Sequence, residues 1–361
     1  MVEIEVRGAP VYYACEPGIL NKLDELLQRY NKKNCLVVHG EKSWDAISPF
    51  FPKTFQYASL TFIPYNGECS LNEINRIASL VMENNFDAII GIGGGKVLDL
   101  IKAAGNDANV DAILIPTLAS TCAAWTPLSV IYTDDGIFTH YTIYPKSTLM
   151  ILFEPRVLLQ SPTNFFIAGI ADTLAKWYEA DVIIRELKDP PLVVTIAHQT
   201  AQLCRDILLQ YGVEAVKAQK NKQLTSALTK VMETNIVAGG MVGGYGDKYG
   251  RIAGAHSIHN GLTTLEETHH LLHGAKVAYG ILIQLALEKN WEEIRSLESF
   301  YRSLSLPLTL NDLGITIDQT DKLKRVAEAA TIKKESIHLL PEEITADKVL
   351  QAIYDLEAFF Q

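Results

Sequence analysis

The chain has 361 residues, a length at which two domains sharing a core are the usual arrangement. Hydrophobic residues make up 48% and charged residues 20%, an ordinary composition for a globular protein. The formal net charge is −10 and no long basic run occurs, so nucleic acid and anionic membranes are poor candidates for partners. No apolar stretch approaches the roughly 20 residues of a membrane span.

The N-terminal residues 1–10 alternate apolar and charged side chains, which predicts an edge strand. They lack the basic-then-apolar order of a signal peptide. The five cysteines are scattered and form no C-x-x-C pair, which predicts reduced thiols in a cytoplasm and neither a disulfide framework nor a cysteine-ligated zinc site. These cysteines are Cys15, Cys35, Cys69, Cys122 and Cys204.

Short apolar runs alternate with amphipathic patterns up to about residue 115. The predicted strands are 35–40, 58–64, 87–93 and 112–117. The predicted helices lie at about 17–30, from near Ser43, after the capping pair Ser70 and Glu73, and at about 95–104. Strands of nearly continuous apolar character between helices indicate a parallel sheet with helices on both faces.

The pattern changes after residue 117. Two alternating runs over 128–144 surround Asp134-Asp135-Gly136 and predict a hairpin, and an apolar run follows at 149–155. From about residue 163 the chain is almost wholly helical, with breaks at 189–191 and 238–250. We therefore predict an α/β nucleotide-binding domain over 1–160 and an all-α metal- and substrate-binding domain over 161–361, with a small-molecule site in the cleft between them.

A glycine cluster, Gly91-Ile92-Gly93-Gly94-Gly95-Lys96, lies between a predicted strand and a predicted helix. A Rossmann fingerprint would need glycine at Lys96, and a P-loop would need glycine at Ile90 and a hydroxyl residue at Val97. An ordinary strand-to-helix turn is the plain alternative. Three successive glycines before a helix N-terminus nevertheless favour a phosphate site, because backbone amides can approach the anion without Cβ obstruction.

Five of the nine histidines fall within residues 254–280. Histidines three or four positions apart share a helix face, so His256/His259 and His269/His273 could each converge on a metal. The fifth histidine is His270. Spacing alone does not show which of the five histidines bind the metal and which only support the metal ligands. Asp172, in an apolar helix, is a candidate oxygen ligand, because a carboxylate there is costly without a cation. Its alternative role is a helix cap.

Together these features resemble the glycerol dehydrogenase branch of the iron-containing, or group III, alcohol dehydrogenases, a superfamily that includes dehydroquinate synthase. The resemblance spans nearly the whole chain, through segments 91–105, 115–136, 169–180, 254–263 and 269–280. It implies a dehydroquinate synthase-like fold, a nicotinamide cofactor, one divalent metal with zinc favoured over iron, and a homo-oligomer. It also implies oxidation and reduction at the CH–OH group of small alcohols and polyols, with the metal as Lewis acid and hydride passing to or from the nicotinamide.

Carried over position by position, the resemblance assigns three groups of residues. The pyrophosphate would lie on Gly93, Gly94, Gly95 and Lys96, with Asp99 shaping the loop. The rest of the cofactor would contact Thr117, Ser120, Thr121, Thr126, Leu128, Val130 and Tyr132. The metal ligands would be Asp172, His256 and His273, which leaves His259, His269 and His270 as supporting or substrate-side groups, with His259 a candidate proton relay.

Two positions depart from the glycerol dehydrogenase pattern. Cys122 replaces an aspartate that can accept hydrogen bonds from a polyol, and Lys176 replaces the fourth ligand, a histidine, of the iron-dependent branch. Compared with the family pattern, the chain lacks a negative charge at Cys122 and has a positive charge at Lys176. This difference suggests a 2-oxo acid or 2-hydroxy acid as the substrate. The alternative is that Lys176 points to solvent and Cys122 only packs.

The nicotinamide cofactor can be NAD or NADP on sequence grounds. An acidic residue after the second strand usually binds the adenosine ribose 2′-hydroxyl and rejects the NADP phosphate. His39 stands at about that position with Lys42 nearby, which favours NADP, whereas Glu41 argues against it.

Two rival functions share the scaffold. A dehydroquinate synthase-like lyase would need several basic residues, for which Lys176, Lys248, Arg251 and Lys276 are the candidates. A non-catalytic metal- or nucleotide-binding relative is the other, and the full ligand trio and glycine loop argue against it.

Overall fold

The computed structural model describes residues 4–361 and contains a six-stranded parallel sheet of order β1-β8-β5-β4-β2-β3. Its strands are β1 (Tyr12–Cys15), β2 (Asn34–His39), β3 (Ser59–Pro64), β4 (Ala88–Gly93), β5 (Asp111–Pro116) and β8 (Met150–Phe153). An antiparallel hairpin is formed by β6 (Leu128–Tyr132) and β7 (Phe138–Ile143). The helices among these strands are α1 (Leu23–Arg29), α2 (Glu41–Ile47), α3 (Leu71–Glu83) and α4 (Gly95–Asp107).

The sheet is covered on both faces, as its apolar strands predict. Alternate residues of β2 point into two different cores: Leu36 and Val38 pack on the side of α3 and α4, whereas Cys35 and Val37 pack on the side of α1. All six residues of β4 are buried. The predicted cap of α3 is confirmed, because the Ser70 side chain accepts a hydrogen bond from the amide of Glu73.

After β8 the chain is mainly helical, with α5 (Pro155–Leu158), α6 (Thr163–Ile184), α7 (Leu192–Lys220), α8 (Ser226–Glu233), α9 (Gly239–Gly246), α10 (Gly254–Leu262), α11 (His273–Leu287), α12 (Trp291–Leu304), α13 (Thr320–Ala330) and α14 (Ala346–Phe360). One hydrophobic core continues from the α3–α4 side of the sheet into these helices. None of the helices within residues 4–361 is long and apolar enough to cross a membrane. The strands of that range all precede residue 154, and the domain boundary at 160 stays a prediction.

The N-terminal edge strand was predicted in the wrong place. Residues 4–10 are irregular, and residues 1–3 lie outside the described range. The edge strand is β1 (Tyr12–Cys15), which pairs in parallel with β8. The alternating segment instead lies against α9, where the Arg7 amide donates to the carbonyl of Gly244 at 2.8 Å. An alternating pattern indicates a segment with one buried face. In residues 4–10 that face is covered by the helix α9 and not by a neighbouring strand.

Candidate active site

The glycine loop lies where the sheet changes its direction of winding. The chain leaves β2 toward β3 on one side and leaves β4 toward β5 on the other, so a crevice opens between the carboxyl ends of β2 and β4. Such a crevice is the usual ligand site of an open parallel sheet. A Cβ atom at Gly93 would lie 2.7 Å from Val97 Cβ, and one at Gly94 would lie 3.0 Å from Leu118 Cδ1. Glycine is therefore required for packing at position 93, whereas a Cβ atom at position 94 would need a small shift of the Leu118 side chain.

Lys96 lies at the mouth of this crevice and is paired within the protein. Its Nζ is 2.5 Å from Glu68 Oε1 and 5.3 Å from the ring centroid of Tyr132. Sequence analysis missed Glu68, which precedes α3 and carries no motif. The carboxylate and the ring together hold the Lys96 side chain beside the first turn of α4.

The predicted cofactor residues of segment 117–126 lie beside the glycine loop. The Thr117 amide donates to the Gly93 carbonyl at 3.0 Å. Thr121 Oγ1 would be 3.5 Å from a Cβ atom at Gly95. Ser120 packs closely on α6, where its Cα would be 2.8 Å from a Cβ atom at Gly169. The segment thus joins the glycine loop to the helical part of the protein.

The hairpin residues named as cofactor contacts share one face. Leu128, Val130 and Tyr132 alternate with buried neighbours along β6 and are each partly exposed. Thr126 precedes them, with its hydroxyl 3.5 Å from the Cys122 carbonyl. Asp99 contacts the hairpin: its Oδ2 accepts a hydrogen bond from the Val130 amide at 3.0 Å, which ties α4 to β6, and its role in shaping the glycine loop stays a prediction.

Three helices bring together the three predicted metal ligands. Asp172 lies in the middle of α6, His256 in the first turn of α10 and His273 at the first residue of α11. The Asp172 Oδ1 atom is 3.3 Å from His256 Nε2 and 3.1 Å from His273 Nε2. One ligand atom from each residue lies within 4.8 Å of the others, a spacing that could hold a metal ion. Because Asp172 is nine residues into α6, the alternative role of helix cap is wrong.

Close helix packing makes this convergence possible. A Cβ atom at Gly274 would lie 1.9 Å from the carbonyl oxygen of Ala168, and one at Gly280 would lie 2.3 Å from that of Ala255. α11 therefore contacts the backbones of both α6 and α10 along its glycines. A larger residue would push apart the helices that carry Asp172, His256 and His273.

Glu179 is a member of the site that sequence analysis missed. Its Oε2 lies 2.7 Å from His256 Nδ1, and its Oε1 accepts hydrogen bonds from the amides of Ala253 and His256. Glu179 is two helical turns after Asp172, on the same face of α6, and that spacing was the available signal. Because the carboxylate accepts the Nδ1 proton, Nε2 is the ring nitrogen of His256 that faces Asp172 and is available to a metal once its own proton has left.

The charges of these residues compensate one another. Burial disfavours the ionised form of Asp172, but the hydrogen bonds with His256 and His273 outweigh it and hold its pKa well below the usual range. Burial lowers the pKa of His256, whereas Glu179 and Asp172 raise it, with a net value of about 9. Asp172 and Glu179 are thus two ionised carboxylates on either side of a protonated His256 ring. This concentration of negative charge is a favourable environment for a divalent cation.

The remaining histidines of the cluster differ in their contacts. His259 Nε2 lies 2.9 Å from His273 Nδ1, so His259 supports one of the candidate ligands. Burial, together with the rings of His273 and His256, holds the pKa of His259 well below its usual range. His269 and His270 are exposed, and the His269 ring bonds to the carbonyl of Thr263, so the supporting or substrate-side role expected for these two histidines stays a prediction. Within the described range no hydrogen bond links His270 to the cluster.

Lys176 and Cys122 lie close to the metal ligands. Lys176 is partly buried one turn after Asp172, and its Nζ donates to the Arg251 carbonyl at 3.2 Å, so the solvent-facing alternative is wrong. Burial would lower the pKa of Lys176, but the charge of the nearby Asp172 carboxylate outweighs burial and gives a net rise. Burial raises the pKa of the Cys122 thiol, which keeps it a neutral, weak hydrogen-bonding group.

The other basic residues considered for a phosphorylated sugar acid have partners inside the protein. Arg251 forms an ion pair with Asp247 at 3.1 Å, and Lys276 is buried and donates to the Thr268 carbonyl at 3.3 Å. Lys248 lies over the Tyr249 ring. These contacts weaken the lyase alternative.

His39 ends β2 at the crevice, beside Ile92 of β4. Its ring centroid is 5.0 Å from that of Trp44, in an aromatic group that includes Phe62. Glu41 and Lys42 follow in the exposed first turn of α2. The strand end therefore presents an imidazole where an NAD-selective crevice would present a carboxylate.

Comparison with known proteins agrees with this geometry. The family model described as iron-containing alcohol dehydrogenase matches residues 10–152. Hydroxycarboxylate dehydrogenase A of Escherichia coli (strain K12) is 38% identical over 99% of this chain and 98% of its own, and the glycerol dehydrogenase of Thermotoga maritima is 36% identical over 95% and 94%. The solved glycerol dehydrogenase of Schizosaccharomyces pombe has a TM-score of 0.89 at 30% identity, over 99% of this chain and 91% of that one. The predicted fold is thereby confirmed, and the chain belongs to the iron-containing alcohol dehydrogenase family as a glycerol dehydrogenase-like, metal-dependent alcohol oxidoreductase.

Proposed function

We propose that the protein is a metal-dependent, NAD(P)-linked oxidoreductase of small alcohols and polyols, with Asp172, His256 and His273 as the metal ligands. The observation that carries the proposal is the convergence of one carboxylate oxygen and two imidazole nitrogens within 4.8 Å. One oxygen and two nitrogen donors match a catalytic zinc site, which keeps a coordination position open for substrate. Zinc is favoured over iron because Lys176 occupies the position of the iron branch's fourth ligand.

The remaining chemistry is assigned to named residues. When bound, the metal supplies a Lewis acid that favours alkoxide over alcohol and polarises the carbonyl in the reverse direction. Glu179 holds the His256 ring in the orientation and tautomer that direct Nε2 to the metal. Gly93, Gly94, Gly95 and Lys96 would bind the cofactor pyrophosphate through the first turn of α4. Segment 117–132 would line the nicotinamide half of the cofactor.

Initial rates on zinc-loaded protein test this proposal. We expect NADH oxidation with dihydroxyacetone and loss of at least about 100-fold in kcat/KM for Asp172→Asn, because an amide is a much poorer zinc ligand. The exposed His338→Gln variant, outside the histidine cluster, is the matched control and should retain the full rate. Equal turnover by Asp172→Asn and the parent protein would disprove the metal assignment.

A second candidate function is an NAD(P)H-dependent 2-oxo acid reductase. It is favoured by the placement of the Lys176 ammonium one helical turn from Asp172, next to the uncharged Cys122. A substrate carboxylate bound by Lys176 would leave its neighbouring carbonyl near the metal ligands. Hydroxycarboxylate dehydrogenase A, at 38% identity, carries this substrate class in its name.

Paired substrates separate the two candidates. With 2-oxobutanoate and butanone, Lys176→Met should raise the KM for the oxo acid at least about tenfold more than for the ketone, because only the acid loses a charge-assisted contact. Strong turnover of dihydroxyacetone with equal effects of Lys176→Met on both probes would select the polyol function. Turnover of a phosphorylated sugar acid without net change in NADH would instead indicate a lyase.

A further inference from the structure

Lys102 is a buried lysine whose ammonium group is surrounded by oxygen atoms. Only 4% of the residue is exposed. Its Nζ donates to the carbonyls of Ala123 at 2.6 Å, Thr126 at 2.9 Å and Leu128, and it lies 2.8 Å from Asp99 Oδ1. An ammonium has three N–H donors, so these four oxygens occupy it completely. A lysine buried in this way needs such partners, since an unpaired charge in the interior is strongly disfavoured.

Asp99 extends the same connection along the hairpin. Its Oδ2 accepts the Val130 amide at 3.0 Å, and its backbone carbonyl accepts the Ser129 hydroxyl at 2.6 Å. Asp99 and Lys102 are one turn apart on α4, the helix that begins in the glycine loop. The pair therefore fastens segment 123–130 to the helix whose first turn is assigned to the cofactor pyrophosphate.

The other end of this segment reaches the metal side of the crevice. A Cβ atom at Gly239 would lie 3.6 Å from Cys122 Cβ and 3.3 Å from Cγ2 of Thr173, the residue after Asp172. The preceding residue, Thr121, lies against Gly95 of the glycine loop. Segment 121–128 thus lies between the cofactor loop and the metal ligands, and Lys102 holds three of its carbonyls.

We propose that Lys102 is a positioning residue for hydride transfer, acting through segment 123–128, and this inference rests on the proposed function. In reduction, a bound nicotinamide would supply hydride with its electron pair to the substrate carbonyl carbon, and the carbonyl oxygen would gain a proton from solvent. Lys102 takes no part in that exchange. It fixes the segment that would lie against the nicotinamide, between the cofactor loop and the metal ligands, and a shift of about 1 Å in such an arrangement can reduce a rate by about 100-fold.

The test compares Lys102→Met with the double variant Asp99→Asn/Lys102→Met. The single variant leaves the Asp99 carboxylate buried without its partner, whereas the double variant removes both charges and has the better prospect of folding. The exposed Lys217→Met variant is the control. Zinc content, melting temperature, kcat, and the primary isotope effect with NADH deuterated at the transferred position are measured for each protein.

We expect the double variant to bind zinc like the parent, to lose at least about 30-fold in kcat and to show a larger isotope effect, because hydride transfer becomes rate-limiting. Lys217→Met should match the parent in every measurement. A parent-like rate and isotope effect in the double variant would overturn the inference. Failure of both Lys102 variants to fold, or a rate loss that only follows zinc loss, would make Lys102 purely structural and would equally overturn it. Absence of NADH turnover in the parent protein would instead refute the proposed function.

Discussion

The side chain of Glu179 accepts hydrogen bonds from both the backbone amide and the ring of His256, at 2.9 and 2.7 Å. The carboxylate therefore determines where the His256 ring lies and which of its nitrogens carries the proton. Glu179, which lies outside the proposed ligand trio, would thereby determine whether His256 Nε2 is available to a metal.

Replacement of Glu179 by glutamine should weaken zinc binding by about 10- to 100-fold. A glutamine amide can donate to Nδ1, which would move the ring proton to Nε2 and remove the lone pair that the metal needs. Zinc affinity is measured by competition with a chromophoric chelator. Glu266→Gln, outside the cluster, should leave the affinity unchanged, and a Glu179→Gln variant with parent affinity would show that the contact is not needed.

Removing the metal should lower the melting temperature of the parent protein. A ligand that binds only the folded state stabilises it by about 2.7 kcal/mol at a free concentration of 100 times its Kd. Thermal scans with zinc and with excess EDTA measure the difference. Asp172→Asn should show a much smaller zinc-dependent shift, whereas His338→Gln should keep it, and an equal shift in all three proteins would place the zinc elsewhere.

Replacement of Gly274 by alanine should destabilise the protein and weaken the metal site together. The new Cβ atom would lie 1.9 Å from the Ala168 carbonyl oxygen, so α6 and α11 must separate, at a cost of about 1–3 kcal/mol or more. Gly243→Ala is the matched control, because its Cβ would meet atoms only at 3.8 Å and beyond. Denaturant unfolding and zinc titration provide the two measurements. Parent-like stability of Gly274→Ala would contradict the packing argument.

Replacement of His39 by aspartate should shift the cofactor preference toward NADH. A carboxylate at the end of β2 accepts hydrogen bonds from the ribose 2′-hydroxyl and repels the 2′-phosphate of NADPH. We expect the ratio of kcat/KM for NADPH to that for NADH to fall at least about tenfold. Lys42→Gln should lower the same ratio less, since Lys42 is exposed in the next helix. An unchanged ratio in His39→Asp would exclude this position as the selectivity determinant.

Local patterns were sufficient to predict the parallel sheet, the glycine loop after its fourth strand and the helical second half. Buried parallel strands have continuous apolar runs, and amphipathic helices have a 3.6-residue period, so both are visible in short windows of sequence. The same short patterns predicted the edge strand within residues 1–10, which is too early in the chain. The alternation in residues 4–10 reflects packing against α9 and not pairing with a strand. The short patterns also gave no sign of the pairing between Lys96 and Glu68.

The sequence by itself determined the residue types of the site: a carboxylate in an apolar helix, a histidine cluster and three glycines before a helix. The family resemblance named Asp172, His256 and His273 as joint ligands, whereas their spacing did not, and only the tertiary structure shows the contacts that bring them together. His273 and Asp172 are 101 positions apart, and their contact depends on helices that approach through Gly274. Glu179 and Lys102 have no motif, because a buried charge is recognised by its partners, and those partners are brought to it only when the chain folds.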